Sequence, residues 1–308
     1  MGAYIVRRLI AVIPIMLGVA LIAFLLLHLA PGDPVALLMS QFDRGAPPEL
    51  VEQLREQYGL NDPLWMQYLH YVWNALHGDL GKSIFSNRPV TEMILDAAPH
   101  TAALAVASIV VAVVLGVVLG VVAAVRRGTW LDSVSIGISL FGLSVPQFWF
   151  GMMAVLIFAV HLRWFPSSGS GSFAHLVLPA LVLGVSASAA IARLTRSAML
   201  EVLGEQYIVT ARAKGLRELA IVGGHALKNA FIPVLTLIGL QFGRLLGGTV
   251  IMETIFNRPG LGTLMLTAIT RSDFPLLQGT LMVVAAAYVL LNIVVDVSYA
   301  WLDPRVRF

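Results

Sequence analysis

Few side chains in this sequence could carry chemistry, and their spacing excludes more than it supports. Gly81-Lys82-Ser83 has the ending of a phosphate-binding loop, GxxxxGK[ST], in which backbone N–H groups and a Lys cradle phosphates. That pattern requires Gly at residue 76, where Leu76 stands. The histidines His28, His70, His77, His100, His161, His175 and His225 include no pair at i, i+4, the spacing that sets two imidazoles on one helix face to share a metal. Cys is absent, which removes disulfides and thiolate metal sites. No nucleotide motif, metal-ligand cluster or nucleophile triad results. Arg244 is the exception, because it lies near the centre of the apolar stretch 231–255, where a charge is costly unless it meets water or a counter-ion. Two readings of it stay open: a structural pair with Asp296 or Glu253, or a place on a solvent-filled path. The candidates for such a path are Ser144, Pro146, Gln241, Arg244, Glu253 and Asp296.

The elements that would position these residues are membrane spans. The chain has 308 residues, 58% hydrophobic and only 12% charged, with a mean hydropathy of +0.85, far outside the soluble range. Its basic residues sit in small groups beside apolar runs, unlike the continuous patch of a nucleic-acid binder. Six apolar stretches are long enough to cross a bilayer: 5–30, 101–125, 131–160, 176–194, 231–255 and 276–301. Arg7-Arg8, Arg126-Arg127, Arg193, Arg196 and the Arg305/Arg307 tail then fall on one side, and the short loops of the other side hold only Arg163, Arg258 and Arg271. This bias puts both termini in the cytoplasm. Pro146 predicts a kink or break in the third span. Gly116 and Gly120 give the second span a small-xxx-small face, and Gly239, Gly243 and Gly247 give the fifth a smooth strip for helix packing. Asp296 reads as a hydrated carboxylate near the inner end of the sixth span.

Segment 31–99 is too polar to span and reads as a small external helical domain. Pro48 opens one helix there, with Leu50, Val51, Leu54 and Tyr58 on one face and Gly59 closing it. A second helix runs from Asp62-Pro63 to Gly78 and carries Trp65, Tyr68, Tyr71 and Trp73. That load suits the membrane interface or packing on other helices, with packing the preferred role. The other polar interruption is 200–234. It predicts a short helix over 205–214, ended by Gly215, with Tyr207, Ile208 and Ala211 on one side. Ala211 and Ala213 leave its surface small enough for a partner's groove, and Arg212, Lys214 and Arg217 offer charge to an acidic rim. A basic segment lying on anionic lipid is the plain alternative on composition.

The run YxxTARAKGL followed by HALKNAFIPV resembles the cytoplasmic coupling loop of ABC-importer permeases of the peptide/nickel family. Tyr207, Thr210, Ala211, Arg212, Ala213, Lys214, Gly215, His225, Asn229 and Pro233 carry the match. The Glu-Ala-Ala that names the loop in that family reads Val209-Thr210-Ala211 here. SVPQFW around Pro146, ETIFNRPGL, PGDP and the LDPRVR tail extend the resemblance over nearly the whole chain. It implies an all-α polytopic fold of type I importer permeases, in three parts: 1–30, the external insertion 31–99, and a five-helix core 100–308 holding the coupling loop 200–230. It also implies a bacterial inner-membrane location and a non-catalytic role. The implied partners are a second homologous permease, two ATPase subunits that hold ATP and Mg2+, and an extracytoplasmic substrate-binding protein. Family substrates include dipeptides, oligopeptides, glutathione and nickel complexes. Short peptides are favoured because His-poor spans offer little to a transition metal. The rival classes are a self-sufficient channel or secondary transporter, and an assembly protein without a path.

Overall fold

The computed structural model describes residues 2–29 and 61–302; side chains of 2–6, 9, 27, 29, 143 and 295–302 lie outside it, as does the helix expected over 48–59. Helices dominate the described residues, and the one strand-like contact is an isolated bridge between Lys82 and Pro89. In chain order the main helices are α1 (Gly2–Leu29), α2 (Leu64–Leu76), α3 (Val90–Val125), α4 (Trp130–Ser144), α5 (Gln147–Ala154), α6 (Ala174–Leu203), α7 (Gln206–Ala213), α8 (Leu227–Ile255, entered through a short turn Glu218–Ala220 and π-helical Ile221–Ala226), α9 (Leu261–Thr270) and α10 (Phe274–Leu302). Among the described residues four helices are long and apolar enough to cross a membrane, or five if a broken pair counts as one span. The described apolar part of α1 is Ile10–Leu26.

Of the kink or break expected at Pro146, the structure shows a break: the chain turns through 101° between α4 and α5, and α5 continues in π-helical turns, Val155–His161. Pro146 disfavours helical backbone at Val145, which is extended at φ −84°, ψ 125°. Pro146 then opens α5, where its missing N–H costs nothing.

The helices group into two units. The first, residues 100–259 with 291–302, is built around α6. In α6, 61% of the most apolar window is buried, against 22% to 28% for the other long spans, so α6 is the helix enclosed by protein. Its neighbours approach closely because side chains are missing. A Cβ added at Gly120 would lie 2.5 Å from the Thr195 Cβ, and one at Gly184 would lie 2.4 Å from Val111. Asp132 in the first turn of α4 accepts two hydrogen bonds from Arg196 of α6, from Nε at 2.8 Å and Nη2 at 2.9 Å. It also accepts the Gly128 N–H at 3.0 Å. The pair is largely buried and clamps α4 to α6.

The second unit comprises the described residues of 2–99 together with 260–290. Val90, Ile94, Ala97, Leu261, Ala268 and Leu276 form its core. Gly81-Lys82-Ser83 is a loop here: Gly81 has φ +80°, and Ser83 donates its hydroxyl to buried Asp273. Asp273 also accepts the Ile84 N–H at 3.2 Å and caps the start of α10.

Candidate functional site

Helix α7 is short, and an eight-residue helix is not stable by itself. Glu205 enters it in extended backbone and Gly215 leaves it at φ +76°, a conformation that costs glycine nothing. The Gly215 N–H then donates to the Arg212 carbonyl at 2.9 Å. Ile208 and Ala211 hold the helix in place by entering a cluster with Met199, Ile221, Ala226 and Ala230. Asn229 Nδ2 donates to the Tyr207 hydroxyl at 2.7 Å, so α7 is tied to α8 as well. Arg212 Nε donates to Glu218 at 2.7 Å, and the carboxylate raises the guanidinium above its ordinary value.

What remains outward is a small, partly apolar and basic face. Val209 is 58% exposed and Leu219 88%, with Thr210, Ala213, Lys214 and Arg217 exposed between them. Of the two alanines expected on the approachable surface, Ala213 is there. Ala211 is turned into the chain's own core, because it follows Ile208 by three residues and shares its face. His225 is exposed in a π-helical turn and has no hydrogen-bond partner among the described residues; the bond to the helix comes from Asn229.

The path candidates differ in burial and in partners. Gln241 is buried and donates to the Ala187 carbonyl of α6 at 3.2 Å, while Ser144 and Pro146 are exposed beside the break. Glu253 is completely buried and accepts the Thr101 hydroxyl at 2.6 Å. Near it, buried Arg258 donates to the carbonyls of Gly169 at 3.4 Å and His175 at 3.1 Å. Burial pushes that guanidinium down from its ordinary value, and the Glu253 charge pulls it back. Neither Thr101 nor Arg258 was marked by spacing, since the contacts join residues far apart in sequence. Asp296 lies in α10 with its side chain outside the described residues.

Arg244 is exposed and makes no pair with Glu253, which points into the core. It lies on a stripe with Thr236, Leu240, Gly247, Ile251 and Thr254, each three or four residues from the next and each exposed. The strip Gly239, Gly243, Gly247 runs across the helix: Gly239 is buried, Gly243 is half-buried and Gly247 is exposed with open space at its Cβ. Four residues advance a helix slightly more than one turn, so the strip winds from one side to the other. Close approach on α8 occurs at Gly248, against Leu183 at 3.2 Å.

Residues 116–308 match the family described as binding-protein-dependent transport system inner membrane component, and residues 1–105 match the N-terminal region of such components. The chain belongs to this family. This inner membrane component is 42% identical over 335 residues to the dipeptide transport system permease protein DppB of Escherichia coli (strain K12), covering 99% of the chain and 98% of that protein. The glutathione transport system permease protein GsiC of the same strain is 41% identical over 305 residues, 99% of each. Two inward-facing structures of the MetNI methionine ABC transporter share the fold, with TM-scores of 0.57 and 0.58. They are 19% and 20% identical and cover 68% of this chain and 96% of theirs. This protein is therefore a multi-pass permease component of an ABC-type importer.

Proposed function

We propose that this permease forms half of the translocation path of an ATP-driven importer of short peptides, dipeptide- or glutathione-like, and that α7 is its contact with the ATPase. The observation that carries the second part is the two-sided construction of α7. One side is locked into the chain by Ile208, Ala211 and the Tyr207–Asn229 bond, and the other presents Val209, Ala213 and the basic residues. The substrate class is supported by the near full-length likeness to the dipeptide and glutathione permeases.

In this reading six spans place both termini in the cytoplasm. Two ATPase subunits hold ATP and Mg2+, a second homologous permease supplies the other half of the path, and an external binding protein delivers substrate. The chain itself breaks no bond. Only Gly204 and Glu205 separate α7 from α6, so displacement of α7 moves the enclosed central helix directly. The Tyr207–Asn229 bond carries it to α8, giving a rigid-body tilt that switches access from one side to the other. The exposed stripe of α8 faces the path, where water and the substrate satisfy Arg244.

The test is co-purification of the tagged chain in mild detergent, beside Gly215→Pro and Val209→Arg. The native chain should bring a homologous permease and ATPase subunits. Val209→Arg should lose the ATPase while keeping the permease, because it alters only the outward face. Recovery of the complete complex from both variants would remove α7 from the coupling role.

A further inference from the structure

Going round α8 at about 100° per residue, Thr236, Leu240, Arg244, Gly247, Ile251 and Thr254 fall within an arc of ~80°, and all six are exposed. The inward side is committed to the chain's own core. Val234, Leu245 and Met252 enter the main apolar cluster there, and Gln241 donates to the Ala187 carbonyl of α6. Glu253 lies about 180° round the helix from Arg244 and accepts the Thr101 hydroxyl. Arg244 and Glu253 are the two charged residues of 231–255, so the outer stripe carries one cation and no acid. The Asp132 carboxylate of the same unit is taken up by Arg196. Arg244 itself makes no hydrogen bond or ion pair among the described residues. One turn on from it, Gly247 leaves open space, since a Cβ there meets nothing within 4 Å.

We infer that Arg244 reads the terminal carboxylate of a peptide in transit. This rests on the reading of the exposed α8 stripe as path-lining given above, and names the group that the stripe holds. A guanidinium presents a fork of N–H groups that matches a planar carboxylate, and charge-assisted bonds of that kind are the strong ones. The occupant follows from charge. The stripe supplies positive charge alone, and of a short peptide's two ends the carboxylate is the anion at neutral pH. The missing side chain at Gly247 gives that group room to lie against the helix. A dipeptide extends about 7 Å. With its carboxylate at Arg244, its side chains lie towards Leu240, about 6 Å away along the helix axis, or Ile251, about 10 Å away, both apolar and exposed. The stripe thereby holds the group that peptides share and makes non-directional contacts with the side chains that vary. Selection at this point is for a free carboxyl end.

The chain lacks Cys, so Gly247→Cys places one reporter a turn from Arg244, where open space accommodates it. It would be made in the full complex of permeases and ATPases, purified without binding protein so that the binding protein's own selection plays no part. Labelling of this chain by a water-soluble maleimide would be timed with a dipeptide, its N-acetyl form or its C-terminal amide present at about 10 mM, enough to load a millimolar site. The dipeptide and its N-acetyl form should each slow labelling at least ~3-fold, and the amide should leave it unchanged. Arg244→Gln in the same background should abolish the protection. Arg244→Lys, which keeps the charge without the fork, should keep part of it. Equal protection by the amide, protection that survives Arg244→Gln, or no protection by any of the three overturns the inference, while labelling itself leaves the path reading intact. Failure of the Gly247→Cys chain to label, with or without ATP, overturns the path reading and the inference together. Loss of the second permease on Arg244→Gln points to a carboxylate of that subunit as the partner and overturns the inference too.

Discussion

At the scale of single residues, the two charges that matter most inside this permease are treated in opposite ways. Arg196 is matched by Asp132 with two hydrogen bonds in parallel, the strong geometry for a guanidinium and a carboxylate. Asp132→Asn should lower the thermal stability of the detergent-purified chain, because Arg196 keeps its charge and loses its partner. Adding Arg196→Gln should cost little more, and a double-mutant cycle read by thermal denaturation measures this coupling. Arg244 has no such match among the described residues and stands on an exposed stripe. Arg244→Gln should therefore leave assembly and stability unchanged and reduce peptide uptake by about tenfold or more, the equivalent of one charged hydrogen bond. Unchanged uptake at normal expression would take Arg244 out of the path.

At the scale of helices, small residues decide both the close packing of spans and the seat of α7. At Gly120 a methyl group would press on Thr195 and on the Ala192 carbonyl at 2.6 Å, a backbone atom that cannot step aside. Gly120→Ala should cost roughly 1–3 kcal/mol by forcing α3 off α6. Gly247→Ala meets nothing within 4 Å and should stay within about 0.5 kcal/mol of the native chain. Chemical denaturation of the two variants side by side gives the comparison. The short helix α7 depends on its seat in the same way. Its ends could be read locally, at Glu205 and Gly215, but the inward turn of Ala211 depends on Met199 and Ile221 arriving from other elements.

For the molecule as a whole, the coupling proposed above requires that a push on α7 reach the spans without being absorbed. α6 meets that need, since it is the span most enclosed by protein and leads into α7 through two residues. The break at Val145–Pro146 gives the same unit a place where one helix direction ends and another begins. In a rigid-body tilt α3 and α6 move together, so a cysteine pair placed to cross-link them without strain should leave uptake and ATPase association unchanged. Loss of uptake on cross-linking would show that transport needs those two helices to move relative to one another.

Much of this was written locally in the sequence. Apolar runs of spanning length, basic residues gathered on one side, Gly215 after a helical stretch and Pro146 inside another each act through their own backbone or hydropathy. They therefore mark apolar spans, the short helix α7 and a bend without reference to distant residues. Tertiary structure decided how sharp the bend is and which faces are buried. It joined Asp132 to Arg196 and Thr101 to Glu253, and it left Arg244 exposed. Those outcomes depend on pairs of helices approaching from far apart in the chain. Hydrophobic patterning places residues on a helix but does not say which neighbour will cover them.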